Sequence, residues 1–172
     1  MIKLALTGGI GSGKSYVARQ MTQMLGIPVY DSDNEARRLM EKSSQLRQSL
    51  TELAGKQIYD GQGNLRREEF ASWLFSSREN TEKVNAIVHP AVIEDFLNWS
   101  ERQASGIVAI ESALVKESGL NHVVDKVIRV DAPLETRIRR AMARDNATRE
   151  QIMARIDRQA EYPDPDIIIN NY

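Results

Sequence analysis

The chain has 172 residues, 41% of them hydrophobic and 27% charged, with a formal net charge of −1. That length suits one domain with a core of its own, and so even a charge balance draws the chain neither to nucleic acid nor to an anionic membrane surface. The absence of cysteine excludes disulfides and thiolate metal sites, and His89 and His122 are too few for a histidine-built metal centre.

The first predicted element is "IKLALTG", residues 2–8, a short apolar run ending in glycine, as expected of a buried parallel strand. A helix follows, with Val17, Met21, Met24 and Leu25 at the spacing of one helical face and Gly26 closing it. "IPVY" is the second strand and "SDNEARRLM" opens the next helix. The stretch from about 43 to 104 reads as helical, interrupted by the glycine-rich turn "YDGQGN", and His89-Pro90 within it reads as a helix start. Gly106–Ser112 and Lys126–Pro133 are the third and fourth strands. Two arginine-rich helices come next, separated by "RDNATRE", and "PDIIINN" is the last strand. Strands alternating with helices predict an α/β fold with a mainly parallel sheet. No apolar run approaches the ~20 residues that span a bilayer, and no signal peptide precedes the first strand, so a cytoplasmic protein is expected.

The polar clusters Gly8–Ser15, Asp31–Asp33, Glu111 and Asn170–Asn171 all fall at the carboxyl ends of predicted strands, where such folds bind ligands. "GGIGSGKS", residues 8–15, satisfies G-x-x-x-x-G-K-[ST] in full. Its glycines let backbone N–H groups turn inward around an anion, and the following helix adds its positive end. Lys14 reaches the β- and γ-phosphates in such a loop, and the Ser15 hydroxyl can ligate Mg²⁺. No Asn-Lys pair exists to read a guanine base, and Glu111 is the one acidic residue ending "IVAIE", unlike a motor or transporter ATPase.

A small-molecule kinase with a lid fits what remains. Asp33 can orient an acceptor hydroxyl and take its proton. It can equally serve the helix dipole beside the capping-box pattern Ser32-x-x-Glu35. Eight of the 16 arginines lie between Arg129 and Arg158. Arg137, Arg140 and Arg144 share one helical face, and Arg140 and Arg144, nearest the hairpin turn, are the candidates for closing over phosphate. Thr148-x-x-Gln151 reads as a second capping box. Glu111 can hold a metal-bound water or a substrate group, or cap the next helix.

Together, "LTGGIGSGKS", "DSDNEAR", "GNLRREEFASWLFSSRENTEKVNAIVHPAV" and "RAMARDNATREQIMARIDRQ" resemble the dephospho-CoA kinase family, in that family's order and over nearly the whole chain. The resemblance implies transfer of the ATP γ-phosphoryl group, with Mg²⁺, to the ribose 3′-hydroxyl of dephospho-CoA, the last step of CoA synthesis. It implies a single P-loop kinase domain, three layers about five parallel strands. Its core would be 1–40, 105–135 and 160–172, with a helical CoA-side region at about 41–104 and a lid at about 136–159. Carried onto this sequence, Gly11, Ser12, Gly13, Lys14, Ser15 and Tyr16 hold the ATP phosphates, and Asn170 and Asn171 lie near the adenine. Asp33 is the general base, Arg140 and Arg144 belong to the lid, and Arg37, His89 and Glu111 are substrate-side candidates. Tyr16 stands where the family often has threonine, and the family usually continues past "INN" through another helix. The alternatives are a nucleoside monophosphate or shikimate-type kinase, or a nucleotide-binding module without transfer. The sequence leaves the oligomeric state open.

Overall fold

The computed structural model describes residues 1–159 and 162–172, so two residues of the last predicted core segment lie outside the described ones. The chain forms two compact units, Met1–Asp31 with Trp99–Tyr172, and Ser32–Asn98.

The first unit is built on β1 (Ile2–Gly8), β2 (Val29–Asp31), β3 (Ile107–Glu111), β4 (Lys126–Asp131) and β5 (Ile167–Asn170). They form one sheet in the order β2-β3-β1-β4-β5, every pairing parallel. The apolar runs are strands because both faces are covered: Ala5, Leu6, Val108, Ala109, Ile110 and Val130 are fully buried. With all strands parallel, their carboxyl ends share one edge of the sheet. The chain steps from β3 across β1 to β4, which makes the end of β1 a topological switch point.

Helix α1 (Lys14–Leu25) follows β1, and Val17, Ala18 and Met21 pack with Leu6, Ala109, Ile128 and Val130. The predicted face is corrected at its end, where Met24 and Leu25 are exposed at 74% and 69%. Gly26, at φ 64°, reverses the chain there, and Ile27 enters the core in their place. The two arginine-rich helices are α6 (Leu134–Asp145) and α7 (Arg149–Asp157). Asn146, in the left-handed region at φ 49°, ends the first of them. The Thr148–Gln151 capping box is present at the start of the second. Ile138, Ala141 and Ile152 form a small core between them.

The second unit contains α2 (Ser32–Lys42), α3 (Ser44–Ala54), α4 (Arg67–Leu74) and most of α5 (Arg78–Glu101). Ser43 caps α3 through the Leu46 N–H. The turn predicted at "YDGQGN" forms around Asp60, whose carboxylate accepts from the backbone of Gln62 and Asn64. Pro90 does not start a helix but lies inside α5. A proline there removes one helical hydrogen bond. Burial of Val84, Val88, Val92 and Phe96, four residues apart along one face, carries the helix through. Helix α2 belongs to this unit because the Tyr59 hydroxyl donates to the Met40 carbonyl at 2.8 Å and Arg38 pairs with Asp95 at 2.7 Å. Burial pushes the Tyr59 hydroxyl up to about 12.

Candidate active site

The phosphate-loop motif occupies the bend between β1 and α1, at the switch point of the sheet. Gly11 and Gly13 take φ of 73° and 93°, the left-handed region that other residues enter at a cost. Gly13 caps α1 with no side-chain hydrogen bond, and no acidic residue lies in the first turn. The positive end of the helix is therefore left without a side-chain cap or an acidic neighbour, a ready anion site. The Ser12 hydroxyl and that of Thr7 are buried with no hydrogen-bond partner among the described residues.

Ser15 Oγ donates to Glu111 Oε1 at 2.7 Å. A hydroxyl whose proton is committed to a carboxylate keeps its lone pairs for a cation, so the donor set fits Mg²⁺. Asp31 is the register partner of Glu111 across β2 and β3. Asp31, Glu111 and Ser15 line a cleft of about 300 Å³ that also includes Arg19 and Gln23. Of the strand-end carboxylates of the sequence reading, Asp31 and Glu111 are thus brought together beside the loop, and Asp33 does not line this cleft. Tyr16 points outward at 52% exposure, consistent with tolerance of its side chain.

Arg140 is engaged with protein carbonyls. Its Nη1 donates to Asn171 O at 2.9 Å and Ser12 O at 3.4 Å. Asn171 Nδ2 donates to the same Ser12 carbonyl at 3.0 Å, and the Asn171 N–H continues from β5 to Asp131 O. The end of β5 and helix α6 therefore meet on the phosphate loop. Asn170 is exposed at the end of β5. Arg144 forms a two-pronged pair with Asp145 at 2.7 and 3.0 Å, and Arg155 reaches the same carboxylate at 2.9 Å. The hydrogen bonds from Arg144 hold the Asp145 carboxyl below its usual range, and Arg155 adds to this. Arg149 pairs with Glu135 at 2.6 and 2.8 Å across the hairpin. Several of the eight clustered arginines are thus occupied with the hairpin itself.

A contact that helical phase alone does not reveal involves Arg137 and Gln159. Arg137 Nε donates to Ile10 O at 3.0 Å, and its Nη2 donates to Gln159 Oε1 at 3.0 Å. Gln159 Oε1 also accepts from the Ile10 N–H at 3.1 Å.

In the second unit, Asp33 and Arg37 are exposed, Asp33 in the first turn of α2. Ser32 is the first residue of that helix, and Glu35 pairs with Arg38. His89 is partly buried in α5. A groove of about 340 Å³ lies among α2, α3 and α5, lined by Leu39, Leu46 and Ile87 together with Ser43, Glu94 and Asp95.

The loop, its Ser15–Glu111 pair and the parallel order of strands describe a phosphate-transfer scaffold without naming an acceptor. The family model for dephospho-CoA kinase matches residues 2–171. The chain belongs to the dephospho-CoA kinase family. The dephospho-CoA kinase of Porphyromonas gingivalis is 49% identical over 156 residues, covering 91% of this chain and 76% of its own. That of Corynebacterium diphtheriae is 37% identical, with 98% and 87% covered. Among solved structures, the Thermus thermophilus protein TT1252 superposes with a TM-score of 0.83 at 33% identity, covering 99% of this chain and 88% of that one. The fold itself extends to shikimate kinase from Acinetobacter baumannii, with a TM-score of 0.59 at 16% identity over 100% of this chain and 84% of that one. No helix among the described residues is long and apolar enough to cross a membrane.

Proposed function

We propose that this chain phosphorylates the ribose 3′-hydroxyl of dephospho-CoA with ATP, giving CoA and ADP, the last step of CoA synthesis. The observation that carries the reading is a complete phosphate loop, with Ser15 held on Glu111, in a chain that matches the family over residues 2–171. The 3′-oxygen forms a bond to the γ-phosphorus as the bond to the bridging oxygen of ADP breaks. Asp33 orients the hydroxyl and receives its proton. The loop residues Gly11 to Tyr16, Lys14 among them, hold the phosphates, and Asn170 and Asn171 lie on the adenine side. Ser15 would hold Mg²⁺, with Glu111 fixing the hydroxyl; the ion, when bound, neutralises charge on the phosphates. Arg140 and Arg144 close toward the transferred group, which requires Arg144 to exchange Asp145 for phosphate. Arg37 and His89 are the residues that contact the acceptor. Little covalent work falls to the protein, so the rate comes from positioning and charge stabilisation.

The test is to incubate the protein with Mg-ATP and dephospho-CoA and to locate the new phosphate by phosphorus–proton NMR correlation. A 3′-phosphate is expected. A 2′-phosphate, or turnover of ATP without phosphorylated product, overturns the reading.

A further inference from the structure

The phosphate loop is held from outside as well as shaped by its own glycines. Ile10, at its tip, is gripped on both sides of its Cα. Its N–H donates to Gln159 Oε1 at 3.1 Å and its carbonyl accepts from Arg137 Nε at 3.0 Å. The third side of the triangle is Arg137 Nη2 to Gln159 Oε1 at 3.0 Å. Both partners facing the amide are donors, so its oxygen, not its nitrogen, must lie there. The Ile10 side chain meanwhile packs against the small core of Ile138, Ala141 and Ile152 between α6 and α7. Gly9 and Gly11 complete the seat. A Cβ at Gly9 would lie 2.6 Å from the Arg137 guanidinium carbon, and one at Gly11 would lie 2.7 Å from the Arg137 carbonyl carbon.

The consequence follows from the peptide group. A trans peptide is planar, with its C=O and N–H on opposite sides. Directing the Ile10 carbonyl at Arg137 therefore directs the Gly11 N–H away from it. Were this peptide to flip, a carbonyl oxygen would take the place of an N–H donor toward a bound anion. Arg137 and Gln159 lie 22 residues apart, one on α6 and one just past α7, and neither belongs to the phosphate-loop motif.

We propose that Arg137 and Gln159 are positioning residues for nucleotide binding: their clasp on Ile10 fixes the orientation of the Ile10–Gly11 peptide and so sets phosphate affinity. The clasp also makes that affinity depend on how the arginine-rich hairpin is seated. The inference rests on the nucleotide half of the proposed function and not on the identity of the acceptor.

The test measures Mg-ADP binding by calorimetry for the wild type, Arg137→Met, Gln159→Leu and the double variant, with a melting temperature for each. Mg-ADP needs no acceptor and no transfer, so a failed acceptor assignment leaves this result interpretable. If the clasp acts as a unit, each single variant weakens Mg-ADP about tenfold, and the double variant weakens it by no more than either. Gln159→Leu keeps a side chain of similar size and removes the amide that clasps Ile10, leaving Arg137 in place, so it serves even where Arg137→Met fails to fold. Affinities within twofold of wild type, with only the melting temperature lowered, would reduce the clasp to a structural tie and overturn the proposal. Losses that multiply to about a hundredfold in the double variant would show two independent contacts and overturn it as well.

Discussion

Gly11→Ala tests most sharply how the phosphate loop is built against α6. Gly11 has φ 73°, where an alanine costs about 1–2 kcal/mol. Its new Cβ would lie 2.7 Å from the carbonyl carbon and 2.8 Å from the Cα of Arg137, and it would overlap the carbonyl oxygen. These are backbone atoms of a helix and have no rotamer into which to retreat. Loop and helix must separate, a form of overpacking that typically costs about 1–3 kcal/mol. Taking about 3 kcal/mol as the sum, a chain of this size loses about 6–12 °C of melting temperature. The same separation releases the Ile10 carbonyl from Arg137, so Mg-ADP should bind at least tenfold more weakly. Differential scanning calorimetry and titration calorimetry on the same preparation read both effects. Gly106→Ala is the control in the same unit, because a Cβ there meets nothing within 4 Å and the backbone is unstrained. It should stay within about 0.5 kcal/mol of wild type. A Gly11→Ala protein melting within 2 °C of wild type, with unchanged Mg-ADP affinity, would refute the reasoning.

Asp33→Asn should cut phosphoryl transfer by about 10²–10⁴ while Mg-ADP affinity stays within twofold, measured by steady-state kinetics and calorimetry; near-normal transfer would leave Asp33 as a helix-end residue. Ser15→Ala should raise the Mg²⁺ concentration needed for half-maximal rate more than tenfold, read from a metal titration, and barely change stability because Ser15 is exposed. Asp145 supplies a pH dependence. Its folded carboxyl is held below the unfolded value, so between the two the unfolded chain binds more protons and stability rises with pH. The hairpin should be fully held above the unfolded value near pH ~4 and loosen as pH falls below it, followed by hydrogen exchange at α6 and α7. In Asp145→Asn that acid step should shrink to the part carried by Glu135, whose carboxyl Arg149 holds below its usual range across the same hairpin.

What the sequence makes legible here is what depends on neighbours along the chain. The five strands are readable because each is a short apolar run ended by turn residues. The Thr148–Gln151 capping box and the Gly26 helix end are local geometries with local signatures. Helix α1 shows the limit of periodicity: Met24 and Leu25 have the right phase for the core, but the chain reverses at Gly26 and Ile27 fills the place. Pro90 shows another, since burial of Val88 and Val92 on either side outweighs one lost hydrogen bond. At the site, the glycine-lysine motif identifies the phosphate loop by itself. The partners of the arginines are a different matter. Phase places Arg137, Arg140 and Arg144 on one face, but that Arg137 meets Ile10 and Arg140 meets Ser12 is decided by how α6 lies on the loop, while Arg144 turns to its own chain neighbour Asp145. The bond from Ile10 to Gln159 spans 149 residues and leaves no periodic trace.

The acceptor is the central claim, and a panel of acceptors tests it most directly. The protein is given Mg-ATP with dephospho-CoA, AMP, UMP or shikimate in parallel, and products are identified by mass. The account predicts a product one phosphoryl group heavier with dephospho-CoA and none with the other three. Phosphorylation of AMP, UMP or shikimate, with dephospho-CoA untouched, would contradict it.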